Sequence, residues 1–112
     1  MKYKNENKIH PFVREKVGII VSNAKNISDV TKLIVFGSSV TDKCRPDSDI
    51  DLAVEYKNKS YDECWDPTPK TTKARISLRK RVGKNIDIID KDNPGWKSLL
   101  DEINNNGVVV YE

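Results

Sequence analysis

Asp49 and Asp51 stand one residue apart at the opening of an apolar run, within "DSDIDLAV". Side chains at i and i+2 of a strand point to the same side, so the two carboxylates project together and repel each other. An apolar core does not accept such a pair, whereas a hard cation does: magnesium takes oxygen ligands, commonly one or two carboxylates plus the phosphates of a substrate. Ile50 and Leu52 face the other way and anchor the strand, so the pair rides on a rigid element.

A second feature lies just upstream. "LIVF" is stopped by Gly37-Ser38-Ser39, and the residues after Ser38 can begin a helix or tight turn. Glycine permits close approach of a phosphate to the backbone, and free N–H groups at a helix start, with a serine hydroxyl, favour an anion. The turn ends one strand and the aspartates open the next, so both can face one crevice. A third acid, Asp87 in "NIDIID", lies alone between Ile86 and Ile88. If its strand neighbours that of Asp51, it completes a triad, as a further metal ligand or as the group that takes a proton from an attacking hydroxyl. Asp90, at the end of the same run, reads as a turn residue.

The elements that must position these residues are legible as periodic runs. Pro11 opens a helix whose apolar stripe is Val13, Val17, Ile20, Ala24 and Ile27. Lys32 to Phe36 and Ile50 to Tyr56 read as strands, and Lys57 to Asp66 as a polar loop. Thr68-Pro69 begins a helix with Ala74, Leu78 and Val82 on one face, ending at Gly83. Ile86 to Ile89 is a third strand. A last helix starts at Asn93-Pro94, buries Trp96, Leu99, Leu100 and Ile103, and closes at Asn106-Gly107. Val108 to Tyr111 adds an edge strand. Interleaved helices and strands predict an α/β (α+β) fold, a small mixed β-sheet flanked by helices. With 112 residues, the chain 1–112 reads as a single domain, its first nine residues frayed.

Composition narrows the classes. A net charge of +3 with 33% charged residues is too balanced for a dedicated nucleic-acid binder. No apolar run reaches the length that spans a bilayer, and no signal-type segment follows Met1, so the expectation is a soluble, cytoplasmic chain without a membrane partner. Cys44, Cys64 and His10 are too few soft ligands for zinc, and the cysteines read as free thiols. The basic run Lys70, Lys73, Arg75, Arg79, Lys80, Arg81 and Lys84 reads first as a solvated face, next as a contact for an acidic protein, and last as an RNA track. Trp65 and Trp96 read as core or interface residues rather than base-stacking platforms. A calcium loop at Asp47, Asp49 and Asp51 would need a glycine and a distant glutamate, where Leu52 and Ala53 follow. A merely solvated strand edge accounts for the pair alone but not for the glycine-serine turn and Asp87 with it.

Gly37-Ser38, ten intervening residues and Asp49-Ile50-Asp51 resemble the signature of the DNA polymerase β-like nucleotidyltransferases. "RPDSDIDLAV", "NIDIID" and "LLDEINNNGVVVY" are most similar to the minimal nucleotidyltransferases, over roughly residues 12–112. The resemblance implies a nucleotidyltransferase-like fold, Mg2+ as cofactor and a nucleoside triphosphate, ATP, as the source of a transferred AMP. It implies Asp49, Asp51 and Asp87 as metal ligands and catalytic acids, with Gly37, Ser38 and Ser39 holding the nucleotide. It implies a HEPN-type protein partner, with a tyrosine of that toxin as the acceptor and an antitoxin role for this chain. It departs at Thr41-Asp42, where many members carry arginine and glycine. Two alternatives stay open: an antitoxin or scaffold acting by binding alone, and a small-molecule enzyme of the aminoglycoside-modifying kind.

Overall fold

His10 and Pro11 begin the first helix as the sequence predicts. The computed structural model, which describes residues 3–58, 68–92 and 97–112, places helix α1 at Pro11–Ala24, with the His10 ring nitrogen accepting the Phe12 N–H at 3.2 Å. Strand β1, Val30–Phe36, runs into a 3-10 turn at Gly37–Val40; strand β2, Ile50–Tyr56, follows. Helix α2, Pro69–Leu78, leads to strand β3, Ile86–Asp90, then helix α3, Lys97–Asn106, and strand β4, Val108–Tyr111.

The four strands form one sheet in the order β3-β2-β1-β4. β1 is antiparallel to both β2 and β4, and β2 is parallel to β3. A parallel pair needs a crossover, and α2 supplies it. The sheet is therefore mixed, with β4 on its edge, as the sequence predicts.

Alternation along the strands divides the interior in two. Leu33, Val35, Ile50, Leu52, Val54 and Ile86 pack with Val13, Val17 and Ile20 of α1 and with Ala74 and Leu78 of α2. Ile34, Phe36, Ala53 and Ile89 face the other way, against Ile103 and Leu99 of α3. Asp51 and Asp87 lie one residue from members of the first group and share the second face, so α3 and the acids are on the same side of the sheet.

Several details differ from the sequence reading. α1 stops at Ala24, and Ile27 packs on the core from the turn beyond it. α2 stops at Leu78 although Val82 is fully buried. The buried Asn23 of α1 donates to the carbonyls of Leu78 and Lys80, at 3.0 and 2.8 Å, and ends the helix there; Arg81 and Gly83 then take positive φ angles of 64° and 69°.

Asp90 is the third and largest difference. It is no turn residue: it is the last residue of β3, completely buried on the α2 side, and ion-paired with Arg75. The hydroxyl of Tyr56 is also buried, and its ionisation is pushed far up by burial first and by the Asp90 charge second. Periodicity alone made Asp90 a loop acid because its partner lies 15 residues back, on the helix.

The segment expected to fray is docked from Tyr3 onward. The Tyr3 hydroxyl donates to the Arg14 carbonyl at 2.7 Å, Asn5 donates to the Val109 carbonyl at 2.8 Å, and Ile9 belongs to the core. Cys44 is a free, buried thiol. Cys64, Trp65, Asn93, Pro94 and Trp96 lie outside the described residues. Among the described residues, no helix is long and apolar enough to cross a membrane.

Candidate active site

The antiparallel pairing of β1 and β2 brings the end of one strand to the start of the other. Phe36 pairs with Asp51, so the turn that begins at Gly37 sits directly beside the aspartate. The parallel pairing of β2 and β3 then sets Asp51 opposite Asp87. The end of β1 and the adjacent strands β2 and β3 thus bring Gly37, Asp51 and Asp87 into a line across the sheet. The sequence placed the glycine turn and Asp51 at strand ends and Asp87 on an apolar strand; the register aligns them.

Gly37 has a φ of +73°, a conformation that side chains other than glycine's adopt at a cost. A Cβ there would also stand 2.2 Å from Oδ2 of Asp51. The glycine serves two ends at once, then, turning the chain and leaving room for the carboxylate. In the turn itself the Ser38 carbonyl accepts from Thr41, through its N–H at 3.0 Å and its hydroxyl at 3.1 Å. Thr41 therefore closes the turn. Ser38 is half-buried, while Ser39 is fully buried, its hydroxyl without a hydrogen-bond partner among the described residues. The Ser39 carbonyl accepts from the His10 N–H at 2.8 Å, which ties the turn to the start of α1.

Like charges crowd the centre of the site. The Asp51 carboxyl is pushed up to about 6, first by burial and then by the negative charges of Asp87, Glu102 and Asp49, with Asp87 close enough to favour its protonated form. Asp87 and Asp49 are exposed. Asp49 belongs to the loop just before β2, and among the described residues no group of three or more His, Cys, Asp or Glu side chains is gathered around one point as a ready metal cage. Asp51 and Asp87 form the assembled pair; Asp49 is the neighbour that acts on it through charge.

These groups open onto a cleft of about 520 Å3 between the sheet and α3. Gly37 and Phe36 line it at one end, Asp51 and Asp87 along its floor, and Leu99 and Glu102 from α3. Arg79, just past α2, lines it beyond β3, donating to the carbonyl of Ile86 at 3.2 Å. Two of these residues escaped the sequence reading. Glu102 falls three residues after Leu99, on the same helical face, but its apolar neighbours advertised only a core stripe. Arg79 was absorbed in a basic run that reads as a solvated face.

A mixed sheet with a glycine-serine turn and acids on adjacent strands defines a class, the nucleotidyl-transferring α/β domains. Residues 18–112 match the model of the family described as polymerase beta, nucleotidyltransferase; the chain belongs to that family, whose activity is nucleotidyl transfer. No curated protein matches the chain.

Proposed function

We propose that the chain transfers AMP from magnesium-bound ATP to a hydroxyl acceptor, a tyrosine of a HEPN-type partner protein, and so acts as an antitoxin. The observation that carries the nucleotidyl-transfer part is the alignment of Gly37, at the end of β1, with Asp51 and Asp87 on β2 and β3, where burial first and the acidic neighbours second push the Asp51 carboxyl up to about 6. The donor set fits a divalent cation. Oxygen ligands only, with carboxylates that repel one another, suit a hard ion and leave little for a soft one.

Asp49 and Asp51 are the residues that would hold the cation, with Asp87 opposite Asp51 left to act on the chemical step. Bound there with a triphosphate, it would neutralise phosphate charge and polarise the phosphorus centre. The chain's own residues do the rest. The Gly37–Val40 turn presents backbone N–H groups and the Ser38 hydroxyl to the phosphates. The acceptor oxygen forms a bond to the α-phosphorus while the bond to pyrophosphate breaks. The hydroxyl proton goes to a carboxylate, and Asp87 is the exposed member of the pair. α3 covers the opposite wall and limits water in the cleft.

The tyrosine acceptor, the HEPN-type partner and ATP itself rest on the resemblance to minimal nucleotidyltransferases. A second reading, neutralisation by binding alone, has one observation in its favour. Thr41 stands where many relatives carry arginine, and it is spent on closing the turn. One experiment separates the two. The chain and an Asp49→Asn variant are each incubated with labelled ATP, magnesium and a HEPN-type protein. Labelled AMP on the partner from the parent alone supports transfer. Stable binding with no label from either supports the second reading.

A further inference from the structure

Asp49 has a peculiar support. It follows Ser48 and precedes Ile50, the first residue of β2, so the sheet ladder does not hold it from its N-terminal side. What holds that side is Lys84. Its ammonium donates to the carbonyl of Pro46 at 2.9 Å and to that of Ser48 at 2.8 Å. The loop is closed on itself as well, since the Arg45 N–H meets the Ser48 hydroxyl at 2.9 Å and the Ser48 N–H meets the Arg45 carbonyl at 3.0 Å. On the far side of Asp49, the Ile50 N–H donates to the Asn85 carbonyl at 3.2 Å, and the Asn85 side chain reaches the Asp87 carboxylate at 3.4 Å. One short segment, residues 84–87, therefore touches both the loop carrying Asp49 and the acid on β3.

We propose that Lys84 is a positioning residue. It converges two backbone carbonyls on one charge and fixes the 46–48 loop, so that Asp49 is presented beside Asp51 and Asp87 for metal binding. This rests on the nucleotidyltransferase reading. The physical logic has two parts. Hydrogen bonds from an ammonium are charge-assisted and about twice as strong as neutral ones, and Lys84 makes two of them at different points of one turn. A single contact would leave the loop free to pivot; two contacts, at Pro46 and Ser48, bracket Asp47 and bear directly on the residue before Asp49. Asp49 is the least constrained of the three acids, because Asp51 and Asp87 lie inside strands. Loss of the clamp should then cost metal affinity through Asp49 and leave the strands as they are. Groups that orient a metal ligand in this way typically change affinity or activity by about 10- to 100-fold when removed.

The test uses Mn2+ with ATP as probe, binding calorimetry, and amide hydrogen exchange on the full chain without metal. Lys84→Met should speed exchange at Ser48 and Asp49 while the β3 amides keep their protection. Its affinity for Mn2+ with ATP should fall by about tenfold or more, and Lys84→Arg should recover most of the loss. In an Asp49→Asn background, Lys84→Met should change affinity by less than about twofold, because the ligand that it serves is already gone. Parent-like exchange and affinity in Lys84→Met would overturn the proposal, and so would a loss of equal size in the Asp49→Asn background. If Lys84→Met fails to fold, Lys84→Gln, which keeps one donor group, takes its place under the same criteria. A parent that binds neither Mn2+ nor ATP removes the nucleotidyltransferase reading instead, and exchange at Ser48 and Asp49 then decides whether Lys84 holds the loop.

Discussion

Asp51 sits so close over Gly37 that a single methyl group on the glycine would stand 2.2 Å from its Oδ2. Gly37 directly follows the last residue of β1, Asp51 is in β2, and the two meet because Phe36 and Asp51 are register partners. A side chain at 37 must therefore do two things at once, displace the carboxylate and accept a φ of +73°.

Gly37→Ala is accordingly expected to lose stability by about 1–3 kcal/mol, the scale of a non-glycine residue held in the left-handed region. It should also lose most of its binding of magnesium-ATP. Ser38→Ala, which adds no volume, should keep the fold and weaken ATP by about 1.5–3 kcal/mol, the worth of a hydrogen bond to a charged group. Thermal melts and calorimetric titrations of both variants decide the matter. A folded Gly37→Ala that binds like the parent would remove the turn from the nucleotide site.

The Asp51 carboxyl gives a pH signature. Its pKa in the fold is about 6, against 3.8 for the free group. Raised in this way, it favours the protonated, folded form below the free value, and that contribution is lost as pH climbs from about 4 through 6. After allowance for screening by solvent, the loss is about 1–2 kcal/mol. Magnesium should act oppositely, stabilising the chain at pH 7 more than at pH 4.5, where a proton already occupies the pair. Carboxyl NMR in EDTA should find Asp51 titrating near 6, well above the 3.8 of the free group. A midpoint near 4 would mean that the acids do not crowd as described.

Stability and chemistry separate at Asp90. Its carboxylate is fully buried against Arg75, on the sheet face opposite the cleft. Removing one partner of a buried pair leaves an uncompensated charge, so Arg75→Met should destabilise by about 3–5 kcal/mol. Where folded, it should still bind nucleotide like the parent. Denaturant unfolding beside an ATP titration checks this, and a nucleotide defect without a stability defect would place the pair in the site after all.

How much of this could be read from the sequence depends on range. β2 was legible to the residue, because Ile50, Leu52 and Val54 alternate against Asp49, Asp51 and Ala53, and local period is a property of neighbours. The sequence also singled out Asp49, Asp51 and Asp87, since acids in apolar runs need a reason, and the pairing of β2 with β3 sets Asp51 opposite Asp87. The buried role of Asp90 was not, because it depends on Arg75 reaching back across a crossover. The places of Glu102 and Arg79 depend on how α3 and α2 lie over the sheet, which periodicity does not encode. Lys84 is the sharpest case. It looked like one more solvated cation, and its two acceptors are backbone carbonyls 36 and 38 residues upstream, which no side-chain pattern marks.

Asp87 separates binding from turnover. It is exposed, stands opposite Asp51 on the neighbouring strand and lines the cleft. A group whose work is done in the transition state changes the chemical step more than it changes substrate affinity. Asp87→Asn keeps the volume and, with one negative charge fewer beside it, should lower the Asp51 pKa toward the ordinary carboxylate range rather than disturb the fold. Magnesium-ATP should therefore bind within a few-fold of the parent, and a protein partner should bind unchanged. Transfer of labelled AMP should fall by about a hundredfold or more, the lower end for loss of a general base. The measurement is single-turnover transfer at saturating ATP, which isolates chemistry from binding. Equal transfer by parent and variant would take Asp87 out of the mechanism while leaving Gly37 and Asp51 in place. A variant that cannot bind magnesium-ATP at all would make Asp87 a ligand first, and the proton would then need another acceptor in the cleft, for which Glu102 is the placed candidate.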